Sequence, residues 1–179
     1  MPEPPSVGEP LPAFFVFGST SAYSRTMLRT AERSGCRVCR MPADALRFTR
    51  TAPAPVDEWA FEIQTALKEG TCVIAVIDQP GIAKAEYAGR LSAMTAAMVG
   101  EVLSSCPPCH LFIEGGATAC AIVRQLGWDH FHVSHQEEAG VVEMHVTADP
   151  TQRLTVKPGS YPWPQTISDI LLKGNSCAN

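Results

Sequence analysis

The stretch His110-Leu-Phe-Ile-Glu-Gly-Gly-Ala-Thr-Ala-Cys-Ala-Ile-Val-Arg-Gln-Leu-Gly127 reads as a strand, a turn and a helix in direct succession. Its apolar start, His110 to Ile113, predicts a buried strand. Glu114 to Gly116 is turn chemistry, and Ala117 to Leu126 predicts a helix stopped by Gly127. Strand feeding helix through a glycine turn is the unit from which parallel sheets are built.

The same unit recurs upstream. Ala13 to Phe17 is a continuous apolar run ending in Gly18-Ser19-Thr20-Ser21. Ala22 to Ser34 follows, with Met27, Leu28 and Ala31 at helical spacing and Gly35 as the stop. Cys36 to Met41 predicts a second strand and Thr49 to Pro55 a loop. Asp57 is the expected N-cap of a helix that buries Phe61, Ile63, Ala66 and Leu67 and stops at Gly70. Thr71 to Ile77 predicts a strand ending in the turn Asp78-Gln-Pro-Gly81, before a long helix over Ala83 to Ser104. Strict alternation predicts an α/β domain: a mixed, mainly parallel sheet with helices on both faces. His130 to Ser134, Gly140 to Val146 and Arg153 to Lys157 lack long intervening helices, so antiparallel strands are expected near the C-terminus, before a last helix over Thr166 to Lys173.

The chain has 179 residues, 45% hydrophobic and 18% charged, enough for one domain with a sizeable core. A net charge of −4 supplies no overall attraction to nucleic acid or an anionic membrane. Arg25, Arg29, Arg33, Arg37, Arg40, Arg47 and Arg50 cluster early and are expected to form a solvated face. The opening MPEPPSVGEPLP has no basic or apolar region of a secretory signal, and no apolar run can span a bilayer, so a cytoplasmic location is expected. Seven cysteines in a reducing compartment read mostly as small buried hydrophobes.

Two junctions are rich in small residues: Gly18 to Ser21 and Gly115-Gly116-Ala117-Thr118. Each would present unpaired amides of a first helical turn, with hydroxyls, to an anion. Lys157-Pro158-Gly159 reads as a turn closing a strand before it reads as a phosphate contact. Asp78 reads as a turn residue before it reads as a ligand for Mg²⁺ or a ribose hydroxyl. The pairs Cys36/Cys39 and Cys106/Cys109 have the C-x-x-C spacing of zinc or redox sites, and Cys106 to His110 matches a haem-attachment pattern. In a strand, however, residues three apart point to opposite faces, which disfavours ligation by Cys36 with Cys39. No metal site is therefore expected, and His130, His132, His135 and His145 are expected to be structural or on the surface.

In this order, Gly18-Ser19-x-Ser21, Gly115-Gly116-x-Thr118-Ala119, Glu138-Ala-Gly140-Val141 and Lys157-Pro158-Gly159 resemble the C-terminal nucleotide-binding domain of the four-carbon acid sugar kinases, formerly a domain of unknown function. The resemblance spans Phe14 to Ile170. It implies binding of ATP or ADP with Mg²⁺, through Gly18, Ser19, Ser21, Gly115, Gly116, Ala117, Thr118, Lys157 and Gly159. It also implies phosphoryl transfer to a four-carbon sugar acid such as threonate, erythronate or oxo-tetronate. Residues 1–12 would be a leader and 13–179 the nucleotide-binding domain, with a separate sugar-acid-binding domain or subunit as partner and room for a homo-oligomer. The sequence departs from the family at Ala117, where an acid usually follows the glycines, and Glu114 instead precedes them. The departure motivates a rival expectation, a catalytically inactive nucleotide-binding or interaction module of the same fold.

Overall fold

The computed structural model describes residues 11–18, 22–42, 45, 54–70, 72–77, 85–106, 108–136 and 140–173. Its strands are Ala13–Phe17 (β1), Arg37–Arg40 (β2), Val73–Val76 (β3), His110–Glu114 (β4), Phe131–Gln136 (β5), Val142–Val146 (β6) and Asp149–Lys157 (β7). Its helices are Ala22–Arg33 (α1), Ala54–Lys68 (α2), Ala85–Ser105 (α3), Gly116–Gln125 (α4) and Gln165–Lys173 (α5). The strands form one sheet in the order β2-β3-β1-β4-β7-β6-β5. β2, β3, β1, β4 and β7 run parallel, while β6 pairs antiparallel with both β7 and β5. This is the expected mixed α/β sheet.

Alternation along the central strands supplies two cores. Phe14 and Val16 of β1 and Leu111 and Ile113 of β4 join residues of α2, α3 and α4 on one face. Phe15, Phe17 and Phe112 point the other way, toward Leu28 and Ala31 of α1 and Ile167 and Leu171 of α5. There Phe15 stacks on Phe112 with centroids 4.4 Å apart, and Trp163 meets both rings edge-on. Each such side chain contributes about 1.5–3 kcal/mol when fully buried.

Helix α2 corrects three expectations. Its buried stripe is Trp59, Ala60, Ile63, Ala66 and Leu67, whereas Phe61 is 70% exposed. Phe61 stands two residues from both Trp59 and Ile63, so a period of 3.6 turns it away from them. The helix also begins at Ala54, inside the expected loop, which places Asp57 in the first turn instead of at the cap. There its charge complements the helix dipole.

Cys36 and Cys39 enter opposite cores, as strand geometry requires. Burial pushes the thiols of Cys39 and Cys109 up to about 12, so both are neutral at ordinary pH. Arg25, Arg29, Arg33, Arg37 and Arg40 are exposed, while Arg47 and Arg50 lie outside the described residues. Arg37 pairs with Glu62 and Arg40 with Glu32 at the surface, where such pairs add little stability. His132, His135 and His145 lie on β5 and β6; His130 precedes β5 and pairs with Asp129.

His110 is the unusual histidine. Its ring stacks on Phe112 with centroids 4.0 Å apart and Nε2 shares a 2.8 Å hydrogen bond with Thr155 Oγ1. Burial, helped by Arg153 and His145, depresses its pKa from 6.5 to about 3. Below pH 6.5 the unfolded chain therefore takes up a proton that the folded chain does not, so this group's stability is full above 6.5 and lost on acidification. From pH 7 to pH 5 the loss is expected to be about 2 kcal/mol, and urea unfolding of His110→Asn should show a correspondingly smaller drop.

Candidate functional site

The chain leaves β1 through α1 toward β2 on one side, yet β4 lies on the other side of β1. α1 packs on one face of the sheet and α4, which follows β4, on the other. The carboxyl ends of β1 and β4 thus flank a topological switch point, where open α/β sheets form a ligand crevice. Backbone hydrogen bonds hold three strand ends together here. The Gly18 amide donates to the Glu114 carbonyl at 3.2 Å, and the Gly115 amide to the Lys157 carbonyl at 2.8 Å.

Gly115 is the N-cap of α4, with φ 104°, and among the described residues no side chain caps this helix end. A residue with a Cβ would be strained in that conformation. The Ala119 amide makes the bond to the Gly115 carbonyl, so the amides of Gly116, Ala117 and Thr118 precede the intrahelical ladder. Gly116 and Ala117 are exposed, and a Cβ on Gly116 would meet nothing within 4 Å. The geometry suits an approaching anion, which the helix dipole favours by about 0.3–1 kcal/mol.

Thr118 faces inward and is 5% exposed. A Cβ on Gly18 would lie 2.1 Å from Thr118 Oγ1 and 3.0 Å from the Glu114 carbonyl oxygen. Gly18 is therefore a close-approach glycine that lets the β1 turn seat on α4. Gly18→Ala should cost about 1–3 kcal/mol in denaturant unfolding, and Thr118→Ala in the same chain should return part of it.

Lys157 is wholly buried. Its Nζ lies 3.3 Å from Glu114 Oε2 and donates to the carbonyls of Pro158 at 3.0 Å and Tyr161 at 2.6 Å. Burial lowers its pKa, against the opposing pull of Glu114. Glu114 is equally buried and accepts a short hydrogen bond from Ser24 Oγ of α1. The acid that precedes the glycines thus points into the α1 face, away from the open amides, and is not placed to hold Mg²⁺ there. Gly159 sits half-buried in the turn from Pro158 to Tyr161, closed by a 3.2 Å bond from the Tyr161 amide to the Pro158 carbonyl. Gly140, at φ 84°, fits against Pro158, whose Cγ would be 3.2 Å from an added Cβ.

The fold therefore gathers Gly18, Gly115 to Thr118, Lys157 and Gly159 at adjacent strand ends. Ser19, Ser21, Asp78 and Glu138 lie outside the described residues. Sequence reasoning missed Ser24, and missed Tyr23 and Tyr161, which are 38% and 49% exposed beside these turns. The Tyr23 hydroxyl accepts from the Trp163 amide at 3.2 Å. The tyrosines carry no spacing signal; a partner for Glu114 could have been sought among cations at other strand ends. A surface cleft lined by Gly35, Arg37, Phe61 and Glu62 lies at the amino end of β2, away from the site.

No curated protein matches the sequence. Among solved structures, a Haemophilus influenzae protein from a family named only as a domain of unknown function has 14% identity and a TM-score of 0.70. The match covers 91% of this chain and 40% of that one. A Bordetella bronchiseptica protein described as a domain of unknown function, solved with bound citrate as a domain-swapped dimer, has 17% identity and a TM-score of 0.61, over 91% and 40% of the two chains. At such identities the likeness establishes the fold, and the chain spans about two fifths of either neighbour's length. A family model described as a nucleotide-binding C-terminal domain matches residues 14–161, which include every described site residue. The chain belongs to this family of nucleotide-binding C-terminal domains, the family of the four-carbon acid sugar kinases.

Proposed function

We propose that this chain is the ATP-binding half of a cytoplasmic sugar-acid kinase, acting with a separate substrate-binding domain. The observation that carries the reading is the first turn of α4, which no described side chain caps, with exposed Gly116 and Ala117 at the sheet's switch point. In this reading the amides of Gly116, Ala117 and Thr118 hold the phosphates of ATP or ADP. Gly18, Ser19 and Ser21 contact the nucleotide, and the Lys157 to Gly159 turn borders it. The reaction is transfer of a phosphoryl group to a hydroxyl of threonate, erythronate or an oxo-tetronate. Such transfer needs positioning and charge stabilisation more than covalent help, and fixed amides supply both.

Mg²⁺ would accompany the nucleotide and neutralise its phosphates, but among the described residues of the Gly115 turn none can hold it. Three fifths of each neighbour's chain lies outside the matched domain, which leaves space there for a substrate-binding partner. The domain-swapped dimer of the Bordetella neighbour is a precedent for self-association.

A second reading, a module that binds nucleotide without turnover, is favoured by one arrangement. Ala117 occupies the position where an acid is expected, and Glu114 is committed to Ser24 and Lys157. The deciding experiment mixes this protein with a separately expressed sugar-acid-binding domain of the family, Mg·ATP and the candidate tetronates. The kinase reading expects ADP release that requires both proteins. Intact nucleotide binding without ADP release would instead establish the second reading.

A further inference from the structure

Ser24, Glu114 and Lys157 adjoin the candidate site, yet all three are 0% exposed. An ion pair is not needed to fill such a space, because apolar side chains of similar volume often match or exceed its stability. A charged network can, however, fix directions that apolar packing leaves loose.

Each member of the network is tied to a different segment of the site. Ser24 belongs to the first turn of α1 and donates to Glu114 Oε1. Lys157 Nζ, 3.3 Å from the other carboxylate oxygen, draws the carbonyls of Pro158 and Tyr161 inward and so curls that turn back over the end of β7. The rings of Trp163 and Tyr23 flank the same ammonium at 5.2 and 6.0 Å. The carbonyls of Glu114 and Lys157 receive the amides of Gly18 and Gly115.

We propose that Ser24, Glu114 and Lys157 are positioning residues for nucleotide binding. They set the relative placement of the α1 start, the Gly115-Gly116 turn and the Pro158 to Tyr161 turn, and affinity depends on that placement. The inference rests on the nucleotide reading above, because the three turns need a common ligand for their spacing to matter.

The test pairs ADP titration calorimetry with the melting temperature of the ligand-free protein. Four proteins are compared: wild type, Ser24→Ala, the double variant Glu114→Leu with Lys157→Met, and Leu171→Ala. Leu171 lies in the same core, and its carbonyl accepts from Cys36 Sγ near the amino end of β2, away from the site. The double variant is expected to melt near wild type yet bind ADP about tenfold or more weakly. Ser24→Ala should fall between them, and Leu171→Ala should melt lower with unchanged affinity. Wild-type affinity in the folded double variant would overturn the proposal, as would equal weakening by Leu171→Ala, which would tie affinity to stability alone. If the double variant does not fold, Ser24→Ala decides: weaker binding supports the proposal and unchanged binding overturns it. A wild-type protein that binds no ADP removes the nucleotide reading itself, an outcome distinct from a binder insensitive to these substitutions.

Discussion

Gly116→Asp is expected to abolish the rise in melting temperature that ATP or ADP gives the wild-type protein, while leaving the ligand-free protein at least as stable. The two halves of this result have separate causes. Open space surrounds the position a Cβ would take at Gly116, so the side chain meets no steric obstacle. A carboxylate in the first turn of α4 also complements the helix dipole, which favours the ligand-free fold slightly. The same carboxylate would occupy the path of an incoming phosphate, where like charges cost several kcal/mol, equivalent to about a hundredfold or more in affinity. Gly116→Ala, which adds bulk without charge, should weaken binding far less. A thermal shift that survives Gly116→Asp would place the nucleotide elsewhere.

The second large effect concerns stability. Lys157→Met alone removes the ammonium that lies 3.3 Å from the fully buried Glu114 carboxylate. Removing one partner of a buried pair typically costs about 3–5 kcal/mol, a large part of the stability of an ordinary domain. The carbonyls of Pro158 and Tyr161 lose a donor at the same time. Adding Glu114→Leu removes the other half of the pair, so the double variant should recover most of the loss in denaturant unfolding. Equal stability of the single and double variants would show that the pair is not coupled.

How much of this was legible in the sequence depended on whether the information was local. Val73 to Val76 is apolar at every position and entirely buried, and no other reading competes with a central strand there. The turn before α4 was equally plain, because Gly-Gly between an apolar run and a helical pattern has few other uses. In α2, by contrast, Trp59, Phe61 and Ile63 are all apolar, so composition alone cannot say that Phe61 is the one turned outward. The packed helix buries Trp59 and Ile63, and Trp59 Nε1 donates to the Cys39 carbonyl at 3.1 Å.

The candidate site divides in the same way. Gly18, Gly115 and Gly116 were recognisable as turn glycines. Their meeting depends on strand order, since β1 and β4 become neighbours only because β2 and β3 are laid on the other side. The roles of Glu114 and Lys157 were not readable at all. An acid next to two glycines can face the turn or point away from it, and a lysine before Pro-Gly reads first as part of a strand-closing turn. The register that pairs Glu114 with Lys157 across β4 and β7 turns both side chains inward, and that register is a long-range property. In the fold the two residues form one buried ion pair behind the glycine turn.

The most direct test is isothermal titration of the wild-type protein with ADP and with ATP, each with and without Mg²⁺, and with Gly116→Asp as the control. Saturable one-to-one binding that disappears in Gly116→Asp is the predicted result. Absence of binding heat for every nucleotide at millimolar concentration, or identical binding by Gly116→Asp, would contradict it.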